Sequence, residues 1–277
     1  MELTLGYSPC PNDTFLFDAL VHGRIDTRGY GFKVRLDDVE TLNEGALYGR
    51  LDVTKVSFHA LGHVRDRYVL LRSGAALGRG CGPLLVSRDR TGLEELRGKS
   101  IAIPGHLTTA ALLLRLAAPE LWKTAVPMPF DRIIGAVGTG EVQAGLIIHE
   151  SRFTYQAAGL MEIIDLGAWW EEETGLPIPL GGIAARRDLG RETIETLEGL
   201  IRESLKYARR DREASRSYVK EHAQETDDGV ILSHIDLYVT DFTERLGPEG
   251  ESAVRELLRR GEAGGVFPRS GHPLYPG

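Results

Sequence analysis

Within its first 58 residues the chain alternates three short apolar segments with two amphipathic ones, and this order limits the possible folds more than any other feature. Leu3 to Tyr7 reads as a strand. Ser8-Pro9-Cys10-Pro11-Asn12-Asp13 follows as a rigid loop, because proline fixes φ and asparagine favours turns. Phe15, Leu16, Ala19 and Leu20 then share one face of a helix that His22-Gly23 stops. Phe32, Val34 and Leu36 alternate as a second strand. Thr41-Leu42-Asn43-Glu44 has the capping-box pattern of a short helix ending at Gly49, and Leu51 to Phe58 is a third strand. Such βαβαβ order predicts a mostly parallel sheet.

Further along, Pro83-Leu-Leu-Val-Ser87 reads as a strand leaving this first lobe. A new βα unit begins near Leu96-Arg97-Gly98-Lys99-Ser100-Ile101, with its helix starting around Thr108-Thr109 and carrying Ala111, Leu112, Leu114 and Leu116. Phe130 to Val137 is a second helix there, Ala144 to Ile148 and Met161 to Leu166 are strands, and Leu180 to Ala185 is the return crossing. From Arg191 the pattern is helical, and the proline-bearing tail after Gly264 is irregular. Two crossings mean that the middle of the chain is inserted into the first domain: residues 1–95 and 191–277 form a large α/β lobe, and 96–190 a small α/β lobe. The expected architecture is two-lobed and hinged, with an interdomain cleft, as in type II periplasmic binding proteins. The Leu96 to Lys99 phrase before a strand and a Thr-Thr helix start resembles that superfamily.

Composition removes several function classes. The 277 residues are 42% hydrophobic and 26% charged, which suits a globular chain, and the formal charge of −7 argues against a nucleic-acid surface. Arg209, Arg210 and Arg212 cluster, but Asp211 and Glu213 between them mark a solvated helix face. No apolar run approaches the ~20 residues needed to span a bilayer. Glu2 to Tyr7 enters a strand at once and leaves no room for an export signal, so the cytoplasm is the expected location. Cys10 and Cys81 are the only cysteines. They are too few for a disulfide framework or a cysteine metal cluster.

Gly145-Leu-Ile-Ile-His149 is the segment most suggestive of chemistry. Its apolar run suits a strand buried on both faces, so His149 is the first polar side chain past the strand end, where open α/β sheets bind ligands. Imidazole is also the side chain best matched to proton transfer near neutral pH. A zinc-protease reading fails on spacing, because Phe153 stands where a second histidine is needed. The turn Gly105-His106-Leu107-Thr108-Thr109-Ala110 offers free N–H groups and two hydroxyls at a helix start, suited to a carboxylate or phosphate; a plain N-cap is the structural alternative. Lys55, one of only six lysines, and Ser57 sit at a strand end, where a solvent-facing edge would also explain the lysine. Asn43, early in its helix, is a weaker candidate of the same kind. Cys10 is a possible nucleophile, although its flanking prolines suggest a shaping role. Cys81 among Gly78, Gly80 and Gly82 suggests close backbone approach, and Trp169 with Trp170 either stack on a ligand or fill the lobe junction.

Ser8 to Phe15, Asp38-Val39-Glu40-Thr41-Leu42-Asn43, Gly105 to Ala110 and Gly145 to Tyr155 together resemble the 1,4-dihydroxy-6-naphthoate synthase family of the futalosine route to menaquinone. The resemblance runs from the first strand to about Arg187. It implies a lyase that converts cyclic dehypoxanthine futalosine to 1,4-dihydroxy-6-naphthoate without metal or organic cofactor, with His149 at the position of the proton acceptor. It further implies substrate contacts at Lys55, Val56 and Ser57 and at Thr109 and Ala110. The partner is then a small carboxylate, its anionic group resting on the Thr109 helix end or near Lys55. Three rivals remain: a non-catalytic carrier of small anions, the sister enzyme chorismate dehydratase, and the effector-binding half of a transcription regulator, which lacks its helix-turn-helix here.

Overall fold

The computed structural model describes residues 1–225 and 227–276. In the first half of the chain, β1 (Glu2–Tyr7) leads through α1 (Pro11–Val21) to β2 (Gly31–Leu36), then through α2 (Val39–Leu47) to β3 (Val53–Ser57) and α3 (Phe58–Val64). β4 (Tyr68–Leu70) and β5 (Ala76–Gly78) complete this part of the first sheet. The second sheet takes β6 (Leu84–Ser87), β7 (Ile101–Ile103), β8 (Ala125–Pro127), β9 (Ala144–Ile147) and β10 (Met161–Asp165). Between them run α4 (Thr109–Ala117), α5 (Pro119–Trp122), α6 (Phe130–Thr139) and α7 (Ser151–Thr154). α8 (Leu166–Thr174) leads to β11 (Ile178–Arg186), which returns to the first sheet. α9 (Arg191–Arg210), α10 (Arg216–His222), α11 (Asp228–Tyr238), α12 (Asp241–Glu244) and α13 (Gly247–Ala263) follow.

The strand orders are β2-β1-β3-β11-β4, with β5 also on β11, and β10-β6-β9-β7-β8. β1 pairs in parallel with β2 and β3, whereas β11 is antiparallel to β3, β4 and β5. The first sheet is therefore mixed and not mostly parallel, because its strand from the far lobe enters in the opposite sense. Sheet membership also moves the crossings earlier than positions 96 and 190: β6 already pairs with β9 and β10, and β11 pairs with β3. At the crossing, the backbones of Gly82 and Gly167 touch; a Cβ on Gly82 would lie 2.3 Å from Gly167 Cα, which accounts for glycine there.

Two local starts differ from the expected ones. Pro11 occupies the first turn of α1 with Cys10 as its N-cap, so the Ser8 to Asp13 loop is half helix. Asp38, not Thr41, caps α2, its carboxylate accepting from the N–H groups of Glu40 and Thr41. The first lobe buries Leu5, Phe17, Ile183, Leu197 and Ile201 in one cluster, and α6 packs Ile133 and Val137 on the second sheet with Val86 and Ile147. A third cluster joins Phe58 and Leu77 to Leu112 and Leu146. Trp170 is fully buried in that cluster and donates Nε1–H to Pro177 O at 3.1 Å, so it fills packing space and does not line the interlobe cavity. Among the described residues no helix is long and apolar enough to cross a membrane.

Candidate active site

The C-terminal ends of β1 and β3 and the opening residues of β11 face the start of α4 and the end of β9. The cleft between them encloses roughly 650 Å³ of space, counted with its open mouth. His149, Lys55, Val56, Ser57, Thr108, Thr109 and Ala110 all line it, while Asn43 does not. Asn43 is wholly buried behind the wall, where it accepts from Ser57 N at 2.8 Å and donates to Ser57 Oγ at 3.0 Å. Its place is that of a support for Ser57 and not of a ligand contact.

His149 follows β9 with φ of +56°, a left-handed conformation that costs an L-residue energy and turns the ring out of the strand's path. It is half-buried, with the edge of Phe130 against it at a centroid distance of 5.0 Å. Burial pushes its pKa down to about 4, the Asp13 carboxylate opposing this and Lys55 assisting it. The ring is therefore neutral at pH 7. Nδ1 lies 3.4 Å from Cys10 Sγ, and Nε2 has no partner among the described residues, which leaves that nitrogen free for a ligand.

Lys55 sits inside β3, flanked by β1 and β11, so the solvent-edge reading of this lysine is wrong. Its ammonium pairs with buried Asp13, which also accepts from Ser8 Oγ at 2.7 Å and Asn12 Nδ2 at 2.8 Å. Losing either member of such a buried pair costs about 3–5 kcal/mol, since the other charge is stranded. Asp13 lines the cavity too and is a site residue that sequence reasoning missed. The signal available was the lysine itself, because a buried ammonium requires an anion.

At the start of α4 both threonine hydroxyls are already engaged. Thr108 Oγ1 accepts from Ala111 N at 3.2 Å as the N-cap, and Thr109 Oγ1 accepts from Phe58 N at 2.9 Å while donating to Leu180 O. What remains for an anion is the pair of N–H groups of Thr109 and Ala110, which have no acceptor among the described residues. Gly105 precedes this turn at φ of +139°, and a Cβ there would strike Glu40, whose carboxylate accepts from Leu107 N at 2.9 and 3.1 Å. Glu40 thus ties α2 of one lobe to the α4 turn of the other.

Behind His149, Glu150 is 4% exposed and neither carboxylate oxygen has a partner. Burial raises its pKa to about 7. His234 of α11 approaches it at 4.0 Å through Nδ1, itself unpartnered, and holds Asn12 Oδ1 at 2.9 Å through Nε2. Cys10 is buried and its thiol is pushed well above the ordinary range, chiefly by burial, so it is protonated and unsuited to act as a nucleophile. The fold nonetheless brings Cys10, His149 and Glu150 within 4.8 Å of one another, a grouping that no sequence spacing revealed.

The fold agrees with that of the proteins to which the chain is similar. Residues 3–263 match the sequence model of a family described as menaquinone biosynthesis. The chain belongs to that family. A curated relative from Thermus thermophilus, named 1,4-dihydroxy-6-naphtoate synthase, is 52% identical over 99% of this chain and 98% of its own. A relative of the same name from Streptomyces coelicolor is 49% identical over 97% of this chain and 96% of its own. Among solved structures, a protein from Archaeoglobus fulgidus superposes with a TM-score of 0.91 at 37% identity, covering 96% of this chain and 98% of that one. The periplasmic aliphatic sulphonate binding protein SsuA of Escherichia coli superposes at 0.66 with 14% identity, over 97% of this chain and 89% of that one, and shares the fold alone. The menaquinone-biosynthesis family member described here is therefore a two-lobed chain of the periplasmic-binding-protein type.

Proposed function

We propose that this chain is the 1,4-dihydroxy-6-naphthoate synthase of its pathway, a carbon–carbon lyase that opens cyclic dehypoxanthine futalosine without a metal or organic cofactor. The observation that carries the reading is a neutral imidazole with a free Nε2 at the wall of the interlobe cavity. His149 takes a proton from the carbon next to the substrate ketone. The electron pair left behind drives opening of the spiro ring, and the bicycle becomes aromatic as the sugar-derived fragment departs. A placed general base contributes ~10²–10⁴-fold to such a step. The substrate carboxylate rests on the N–H groups of Thr109 and Ala110, with the Lys55–Asp13 pair fixing the opposite wall.

The names of the Thermus and Streptomyces relatives support this choice over chorismate dehydratase. We take the small carboxylate as the partner and the cytoplasm as the location. The test is to incubate the purified protein with cyclic dehypoxanthine futalosine and to follow 1,4-dihydroxy-6-naphthoate by chromatography. Product formation is expected. Tight binding of the compound with no product would make the chain a carrier and not an enzyme.

A further inference from the structure

We propose that Cys10 Sγ, His149 Nδ1 and a Glu150 carboxylate oxygen form a binding site for one zinc ion, and that zinc bound there inhibits the enzyme by occupying its base. One ligand atom from each of the three side chains, an imidazole nitrogen for His149, lies within 4.8 Å of the other two, and Nδ1 is the nitrogen beside Cys10 Sγ. Sulfur, imidazole nitrogen and carboxylate oxygen make a donor set that suits zinc and not calcium or magnesium. The 3.4 Å between Sγ and Nδ1 is close to the separation of two ligands around tetrahedral zinc, given bonds of about 2.3 Å to sulfur and about 2.0 Å to nitrogen.

Glu150 supplies the independent observation. A carboxyl group that is 4% exposed, with both oxygens unpartnered, stands at an energetic cost that a bound cation would relieve. His234 Nδ1, 4.0 Å from Glu150 Oε2 and also unpartnered, is placed to orient that carboxylate from the outer side. Rigid elements hold the set: Cys10 caps α1 and His149 closes β9.

On binding, the Cys10 S–H bond breaks and the sulfur lone pair bonds to zinc; the thiol proton, and the proton of any Glu150 carboxyl still protonated, leave to buffer. Thiolate and carboxylate together then balance the ion's charge. Asp13, Asp38, Lys55, Glu225, Tyr238 and His234 are the other ionisable groups that act on this cluster. With Nδ1 on the metal, the neutral ring must carry its hydrogen on Nε2, so the remaining nitrogen becomes a donor and no longer a base.

The experiment titrates the intact protein with Zn²⁺ against a chromophoric chelator, and in parallel with Co²⁺ by absorption spectroscopy. One ion per chain is expected, with between one and two protons released near neutral pH, from the thiol and from the protonated fraction of Glu150, and a cobalt–thiolate charge-transfer band in the unmodified protein. Cys10→Ser should abolish that band and weaken zinc binding by about 100-fold or more, since loss of an outer-shell partner alone costs about 10–100-fold. Glu150→Gln should weaken it by at least about tenfold on the same grounds. Absence of stoichiometric binding, a cobalt spectrum without the thiolate band, or affinity unchanged by both substitutions would overturn the site. These binding measurements use no substrate, so they stand apart from the reaction assigned above. Where turnover is measured, zinc should suppress it and a chelator restore it; full turnover with the site occupied would overturn the inhibitory role.

Discussion

His149 is ready to accept a proton at neutral pH because the surrounding protein disfavours its charged form. Burial outweighs the attraction of Asp13, and the imidazole protonates only near pH 4. The expected pH profile of kcat/KM is therefore flat across neutrality and falls as pH drops through about 4, a limb that belongs to the free enzyme. A midpoint near the ordinary histidine value of about 6.5 would mean that the ring is solvated and the cavity reading is wrong. His149 and Ser57 were legible in the sequence because each stands at or just past the end of an apolar strand, where topology directs it to the cleft, and Lys55 because it is a scarce lysine within such a strand. Asp13 and Glu150 were not, since their roles come from Lys55 and His234, neighbours supplied only by folding. The same holds for the contact of Cys10 with a ring 139 residues away.

Among the elements, the start of α4 bears most on binding. Thr109 joins three segments through one hydroxyl, taking the Phe58 N–H of α3 and giving its own hydrogen to Leu180 O of β11. Thr109→Val would strand that N–H and that carbonyl, each buried polar group left unpaired costing about 1–3 kcal/mol. Urea unfolding should record a loss of about 2 kcal/mol or more, with KM raised as the α4 turn shifts. A raised KM with unchanged stability would show instead that the hydroxyl is reserved for substrate. Helix positions such as that of α4 were readable from a Thr-Thr start and a following apolar stripe. Exact beginnings were less so: Pro11 fits the first turn of a helix as well as a loop, and Asp38 competes with Thr41 as a cap.

At the scale of the whole molecule, buried titratable groups set how stability responds to acid. His59 and His149 have pKa values lowered to about 4 by burial, and His234 lies well below its ordinary value for the same reason. Between about 6.5 and 4 the unfolded chain binds protons that these rings refuse, so they make stability fall with falling pH. Glu150, raised to about 7, acts in the opposite sense: its folded form holds a proton the unfolded form has lost, so it destabilises as pH rises through about 4.5 to 7. Glu150→Gln should steepen the acid-side loss of stability in denaturant titrations between pH 7 and 4.5, and a slope unchanged from the parent would contradict the burial of an ionisable Glu150. The two-lobed plan was legible because two crossings in a βαβ pattern require an insertion. The mixed sheet was not, because strand direction at β11 depends on how the second lobe returns its chain.

The most direct test of the whole account is single-turnover conversion of cyclic dehypoxanthine futalosine by His149→Asn, compared with the parent at saturating substrate. The variant should bind the compound normally and lose at least about 100-fold in rate, the low end of what a general base supplies. Conversion at the parental rate would contradict the central claim that the imidazole at 149 takes the proton.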